Sequence, residues 1–180
     1  MAKSLKVLII DDSEDDFELI LRELKHSGYD PESERVDLEK AMTKALNNSS
    51  WDVIISDYSM PHFTGIEALQ IYHELKLDIP FIIISGVIGD DLAVDIVKLG
   101  AHDYILKDNL RRLRGVLERE LKQYEEKRSL IQQLNKDSLD SFNKIKDWAI
   151  EEITKLKKIN SDLRTENIRL KELVSKVKAD

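Results

Sequence analysis

Five short apolar runs alternate with five amphipathic helix patterns. That alternation predicts an α/β fold, a doubly wound five-stranded parallel sheet covered on both faces. Three runs carry most of the argument. Val7-Leu8-Ile9-Ile10 runs into Asp11-Asp12, Val53-Ile54-Ile55 leads to Asp57, and Phe81-Ile82-Ile83-Ile84 ends at Ser85. Each has the length of a strand and is bounded by polar or turn residues, as expected for a strand buried on both sides. In an open parallel sheet, ligands sit outside the carboxyl ends of the strands. Three acids and a hydroxyl should therefore meet at one rim.

The elements follow in order. Leu5 to Ile10 reads as the first strand. Ser13 and Asp16 have the spacing of a capping box. Phe17, Ile20, Leu21 and Leu24 then give one apolar helix face, and Gly28 ends the helix. Residues 31–36 form a weak strand, placed at an edge by Pro31 and its charged neighbours. Asp37 should cap a second helix with Leu38, Ala41, Met42, Ala45 and Leu46 on its inner face. The central strand runs from Asp52 to Asp57. Pro61 and Gly65 turn the chain into a third helix carrying Ile66, Leu69 and Tyr72. Pro80 opens the fourth strand, which a pliable loop with Gly86 and Gly89 follows. Asp90 should cap a helix with Leu92, Ala93, Ile96, Val97 and Leu99, ended by Gly100. Tyr104 to Leu106 is the fifth strand and leads to Lys107. Asp108 should cap a fifth helix built on Leu110, Leu113, Leu117, Leu121 and Tyr124.

Composition bounds the function. About 120 residues suffice for a core of this kind, and the chain has 180. Net charge is −7 but uneven: residues 1–120 hold 14 Lys+Arg against 24 Asp+Glu, and residues 121–180 hold 14 against 11. Neither part offers a basic face for nucleic acid, so none is expected as a partner. Without cysteine there are no disulfides or thiolate metal sites. No signal peptide or run of about 20 apolar residues is present. The expectation is a soluble cytoplasmic protein with no membrane contact.

The chain divides into a globular domain, residues 1–124, and a helical segment, residues 125–180. Residues 125–141 are polar and lack Pro and Gly, so the fifth helix can run on. From Phe142 a row recurs every seven residues: Phe142, Ala149, Leu156, Leu163, Leu170, Val177. Its partner row is either Ile153, Asn160, Asn167, Val174 or Glu152, Ile159, Glu166, Leu173. The first choice puts leucine at d and asparagine at a, a pattern of parallel dimers. It also sets Glu152 and Glu166 against Lys157 and Lys171 across the dimer, and this sign pairing favours it. Residues 142–178 would form a rod of roughly 55 Å at 1.5 Å per residue. The simpler alternative is one amphipathic helix folded back on the globule.

The strand ends gather Asp11, Asp12, Asp57, Ser85 and Lys107. Crowded carboxylates need a cation or take up protons. Hard oxygen donors suit Mg²⁺, which accepts few protein ligands. A carboxylate can act as a nucleophile toward phosphorus, and phosphoryl transfer demands mainly positioning and charge neutralisation. His26, His62, His73 and His102 show no metal-ligand spacing, and Gly86 and Gly89 form no phosphate-binding loop.

These residues resemble the receiver domain of bacterial two-component response regulators. The likeness rests on Val7-Leu8-Ile9-Ile10-Asp11-Asp12, Asp57-x-x-Met60-Pro61-x-x-x-Gly65, Ser85-Gly86 and Tyr104-x-x-Lys107, and covers residues 4 to about 122. It implies a flavodoxin-like receiver fold with Asp57 as phosphoacceptor. It implies Mg²⁺ on Asp12 and Asp57, with Asp11 holding a metal water and the Ser59 main-chain carbonyl completing the site. Lys107 and Ser85 would contact the phosphoryl oxygens, and Tyr104 would swing inward as Ser85 moves. The donor would be a histidine kinase or a histidine phosphotransfer protein. In the family a proline usually follows Lys107, often after a cis bond. Here Asp108 follows, and a trans bond is expected because a non-proline cis bond costs roughly 3 kcal/mol. Val87 should slow the attack of water on the phosphate.

The resulting expectation is a regulator with no enzymatic activity beyond its own phosphoryl transfer and hydrolysis. Its output would be the coiled coil. Two rivals stand beside it: part of a signalling enzyme with a catalytic domain beyond Asp180, and a structural coiled-coil protein with an inactive receiver.

Overall fold

The computed structural model describes residues 2–86 and 90–177, without the side chains of residues 90–92, 173, 176 and 177. Val87 and Gly89 lie outside the described residues. Five parallel strands stand in the order β2-β1-β3-β4-β5. They are β1 (Lys3–Ile10), β2 (Tyr29–Val36), β3 (Val53–Asp57), β4 (Phe81–Ser85) and β5 (Asp103–Leu106). Between them run α1 (Glu14–His26), α2 (Glu39–Asn48), α3 (Gly65–Glu74) and α4 (Asp90–Lys98). A 3₁₀ turn (Lys107–Arg112) leads into α5 (Leu113–Val177). The doubly wound parallel sheet expected from the alternation is the one formed, in the flavodoxin-like fold that the family resemblance implied.

Alternation along each strand builds two cores. Val7, Ile9, Val53, Ile55, Ile82, Ile84 and Ile105 face Ile20 and Leu24 of α1 and Leu113, Val116 and Leu117 of α5. Leu8, Ile10, Ile54, Phe81, Ile83 and Tyr104 face Met42 of α2, Leu69 and Tyr72 of α3 and Ile96 of α4. Every residue of β3 and β4 is buried, which is why those runs lack polar alternation. The strand carrying Pro31 is the edge strand, with most of its residues exposed.

Several local expectations are corrected. Asp37 does not cap α2; Leu38 occupies that position, is half exposed and gives no side-chain cap. Asp108 does not cap α5, because it lies within the 3₁₀ turn, whose Asn109 leaves helical geometry at φ −129° and ψ 40°. Asp90 is the first residue of α4 rather than its cap. Val97 and Leu99 are about half exposed, so Ile96 holds the inner position of α4. Among the described residues no peptide bond is cis, in line with the trans bond expected after Lys107.

One capping box does form, at an unexpected place. Thr64 Oγ1 accepts from the Glu67 amide, and the Glu67 carboxylate accepts from the Thr64 amide at 2.8 Å. This fixes the start of α3 against the end of β3. A Cβ on Gly65 would lie 2.6 Å from the Asp57 carbonyl oxygen, so only glycine allows the approach. Gly28 and Gly100, both at positive φ, end α1 and α4.

The chain separates into two compact units, Met1–Arg128 and Ser129–Asp180. Within the second, residues 129–177 form one unbroken helix, and no described residue is buried. Leu134, Phe142, Ile145, Ile153, Leu156 and Leu163 are all exposed. No helix among the described residues is long and apolar enough to cross a membrane.

Two glycine substitutions should move stability in opposite directions. Gly65→Ala should cost about 1–3 kcal/mol, since the clash is with backbone that cannot rotate away. Gly115→Ala, where a Cβ meets nothing within 4 Å on an exposed helix face, should add about 0.5–1 kcal/mol. Urea unfolding of the two variants checks both signs.

Candidate functional site

The strand order reverses between β1 and β3, each of which has its next neighbour on the other side. In such folds the crevice at this switch point is the ligand site. β1 delivers Asp11 and Asp12 there, and β3 delivers Asp57. Asp11 and Asp57 are buried and Asp12 is exposed. One carboxylate oxygen from each lies within 4.8 Å of the other two. Lys107, just past β5, reaches across the mouth. Its Nζ is 3.2 Å from Asp57 Oδ1 and 3.5 Å from Asp11 Oδ2. Ser85 ends the neighbouring strand β4, one residue beyond Ile84, the register partner of Asp57, and it is buried. Tyr104 is buried on β5. Ser59 lies exposed, two residues past Asp57. The structure thus brings Asp11, Asp12, Asp57 and Lys107 together and sets Ser85 on the adjoining strand.

Three other groups shape the site that the sequence reading did not place there. Asp16 accepts from Lys107 Nζ at 2.6 Å, the shortest of the three carboxylate contacts of that ammonium. The expected capping box is therefore only half made. Ser13 Oγ accepts from the Asp16 amide at 3.2 Å, but the Asp16 carboxylate turns to Lys107. The Ser13 amide donates instead to Asp11 Oδ1 at 2.8 Å. The third group is Arg35 of the edge strand. Its Nη1 donates to the main-chain carbonyls of Asp11 and Asp12 at 3.0 and 3.3 Å, clamping the acidic turn. The acidic first turn Glu14-Asp15-Asp16 was a visible signal for Asp16. Arg35 had none, because its partner is backbone.

Burial is the dominant electrostatic influence. It pushes Asp11 up to about 6; the Ser13 amide and Lys107 oppose it, and the Asp57 charge adds to it. Burial also raises Asp57, while the charge and hydrogen bond of Lys107 restrain the rise. For Lys107, burial pulls downward, but Asp16, Asp11 and Asp57 together hold it above the usual lysine range. Asp11 Oδ2 is buried without a hydrogen-bond partner among the described residues. A hard divalent cation fits this arrangement: two inward carboxylates, an exposed third and an oxygen still lacking a donor.

The response regulator receiver domain family model matches residues 7–118, and the chain belongs to that family. It is 32% identical over 113 residues to the probable C4-dicarboxylate response regulator DctR of Bacillus subtilis (strain 168), covering 62% of this chain and 50% of that protein. It is 33% identical over 113 residues to protein-glutamate methylesterase/protein-glutamine glutaminase 2 of Caulobacter vibrioides, covering 62% of this chain and 32% of that one. The chain thus spans half or less of these relatives. Among solved structures, the beryllofluoride-activated NtrC4 receiver domain dimer superposes with a TM-score of 0.57 at 27% identity, covering 66% of this chain and 98% of that one.

The Asp11 environment sets a pH-dependent cost. Its folded value of about 6 lies above the ordinary 3.8. The folded state therefore holds the proton more tightly, and stability falls as pH rises through that interval. In EDTA at pH 7.5, Asp11→Asn should be more stable than the parent by about 3 kcal/mol. The gain should vanish at about pH 3 and below, where the parent is protonated in both states. Thermal unfolding at the two pH values checks this; a gain that persists in acid would refute it.

Proposed function

We propose that this chain is a two-component response regulator that accepts a phosphoryl group on Asp57 in a Mg²⁺-dependent reaction. The donor would be a histidine kinase or a histidine phosphotransfer protein. The observation that carries the reading is the Lys107 ammonium, 3.2 Å from Asp57 and 3.5 Å from Asp11, beside the three clustered carboxylates.

The geometry supports a division of labour. Asp57 Oδ attacks phosphorus as the P–N bond to the donor imidazole breaks, and the carboxylate becomes an acyl phosphate. Lys107 keeps Asp57 ionised for attack and then holds the phosphoryl oxygens. Ser85, on the neighbouring strand end, donates its hydroxyl to another of them. Tyr104, buried on the next strand, follows the movement of Ser85. Asp12 and Asp57 would hold Mg²⁺, with Asp11 on a metal water and the Ser59 carbonyl as a further ligand. When bound, Mg²⁺ supplies charge neutralisation at the transferring group.

For output we infer a parallel homodimer through residues 142–178, acting in the cytoplasm and without nucleic acid. Turnover would be limited to the chain's own phosphoryl group. The exposed apolar residues of the second unit, from Phe142 to Val174, support this reading. A second reading is favoured by one fact: the Caulobacter relative bears an enzyme's name, and only 32% of it is matched. On that reading the chain is the receiver part of a longer signalling enzyme. The length of the reading frame beyond Asp180 separates the two.

Incubation with acetyl phosphate and Mg²⁺ should add one phosphoryl mass to the intact protein. Asp57→Ala and EDTA should each abolish the addition; incorporation into Asp57→Ala would place the acceptor elsewhere. Beryllofluoride should change sedimentation or helix content of the parent and leave Asp57→Ala unchanged. Identical behaviour of the two proteins would remove the link between site and assembly.

A further inference from the structure

The helix of the second unit carries more than one repeat. Extended upstream of Ile153, the seven-residue frame puts Lys146 at a and Asn135 at d, a poor seam. A different spacing fits there. Ile131, Phe142 and Ile153 stand eleven residues apart, and Leu134, Ile145 and Leu156 follow each of them by three. All six are exposed in the single chain, between 45% and 65%. Ser138 and Ala149, again eleven apart, fall four residues after Leu134 and Ile145 and keep those layers thin. Below Ile153 the eleven-residue step fails, because it would bring Arg164 to the seam. The seven-residue step succeeds there with Leu163 and Leu170.

We propose that residues 131–177 pair in parallel with a second copy of this chain through a mixed seam. It has eleven-residue repeats from Ile131 to Ile153 and seven-residue repeats from Ile153 onward. The proposal rests on the dimer reading above and gives it a register. An eleven-residue repeat drifts toward a right-handed supercoil and a seven-residue repeat toward a left-handed one. The two helices therefore reverse their sense of winding near Ile153.

The occupant is argued from the chain's own polar groups. Asn160 and Asn167 lie in the seven-residue seam, where an amide facing an apolar residue would be left unpaired. A parallel copy in the same register sets each asparagine against its own counterpart. The same register sets Glu152 near Lys157 of the second copy and Glu166 near Lys171. Within one chain Glu152 has Lys155 at 3.7 Å and Glu166 has Arg169 at 3.9 Å, long contacts that can give way to pairing across the seam.

The absence of cysteine makes the test clean. Full-length Leu134→Cys, Leu139→Cys and Leu156→Cys would each carry a single thiol. All three sites are exposed in the single chain, at 57%, 59% and 58%, so the substitutions should preserve helix content. Leu134 lies in the seam only in the eleven-residue frame, Leu139 only in the seven-residue frame, and Leu156 in both. Under mild oxidation, Leu134→Cys and Leu156→Cys should yield several-fold more disulfide-linked dimer than Leu139→Cys. Greater yield from Leu139→Cys, or equal yield from it and Leu134→Cys, would overturn the mixed seam. Silence of both upstream sites with strong linkage at Leu156→Cys would overturn it too, leaving the seven-residue dimer intact. A monomer by sedimentation with no linkage at any site would defeat the dimer itself. Phosphoryl incorporation at Asp57 is independent of every one of these results.

Discussion

One ammonium holds this domain's working end together. The register of a parallel sheet puts Asp11 and Asp57 side by side, and the acidic turn after β1 adds Asp12 and Asp16. Like charges at such separations raise each other's cost of ionising, and burial raises it further. Among the described residues, Lys107 alone stands within 3.5 Å of three of these carboxylates. It gets there through the short strand β5 and the 3₁₀ turn that begins at Lys107. That turn, where the sequence suggested a capped helix, leaves helical geometry at Asn109 before the chain begins α5.

The arrangement is tolerated because the rest of the domain is so heavily apolar. β3 and β4 are buried along their whole length, and each buried Ile or Val contributes about 1.5–3 kcal/mol relative to exposure. Against that, one carboxyl raised to about 6 is a modest cost. Its direction matters more than its size. An acid that resists ionising in the folded state prefers to meet a proton, an ammonium or a metal ion. On the proposed function, such an unmet preference is what would draw in a cation and a phosphoryl group. Arg35 shows how the backbone is kept from relaxing it, since the acidic turn is tied to the edge strand through its own carbonyls.

What the sequence made legible follows from where the information lies. Strands buried on both faces write themselves as continuous apolar runs, and residues at their carboxyl ends inherit a common location from topology alone. Asp11, Asp12, Asp57, Ser85 and Lys107 could therefore be gathered without coordinates. Asp16 could not, because the same side chain had two possible partners, the Ser13 amide and a lysine 91 residues away. The structure gives it to the lysine, since an ion pair to a partly buried ammonium outweighs one more hydrogen bond to an amide. The Ser13 amide is not left unpaired, because Asp11 accepts from it. Leu38 in place of Asp37 at the head of α2 is a one-residue shift of the kind that helix starts allow. The Thr64–Glu67 box has the Thr-x-x-Glu spacing of a capping box in its letters. The closeness of Gly65 to the Asp57 carbonyl is a tertiary fact that no local pattern records.

The helix beyond residue 128 is the part in which sequence and structure say most when taken together. A lone helix of this length with leucine, isoleucine and phenylalanine in water lacks the tertiary packing that usually stabilises helices. Its intrahelical ion pairs, such as Glu151 with Lys155 at 2.8 Å, are exposed and contribute little. In the proposed dimer, burial against a second copy would supply that stabilisation. Which residues take part is set by the phase of the repeat, and the phase changes along the helix. A uniform seven-residue seam would bring Lys146 inward, and a uniform eleven-residue seam would bring in Arg164. The sequence avoids both by changing step at Ile153. A pair of helices that must wind one way and then the other has its relative rotation fixed at the junction. A rotation imposed at one end would then be felt at that junction before it reached the asparagine layers.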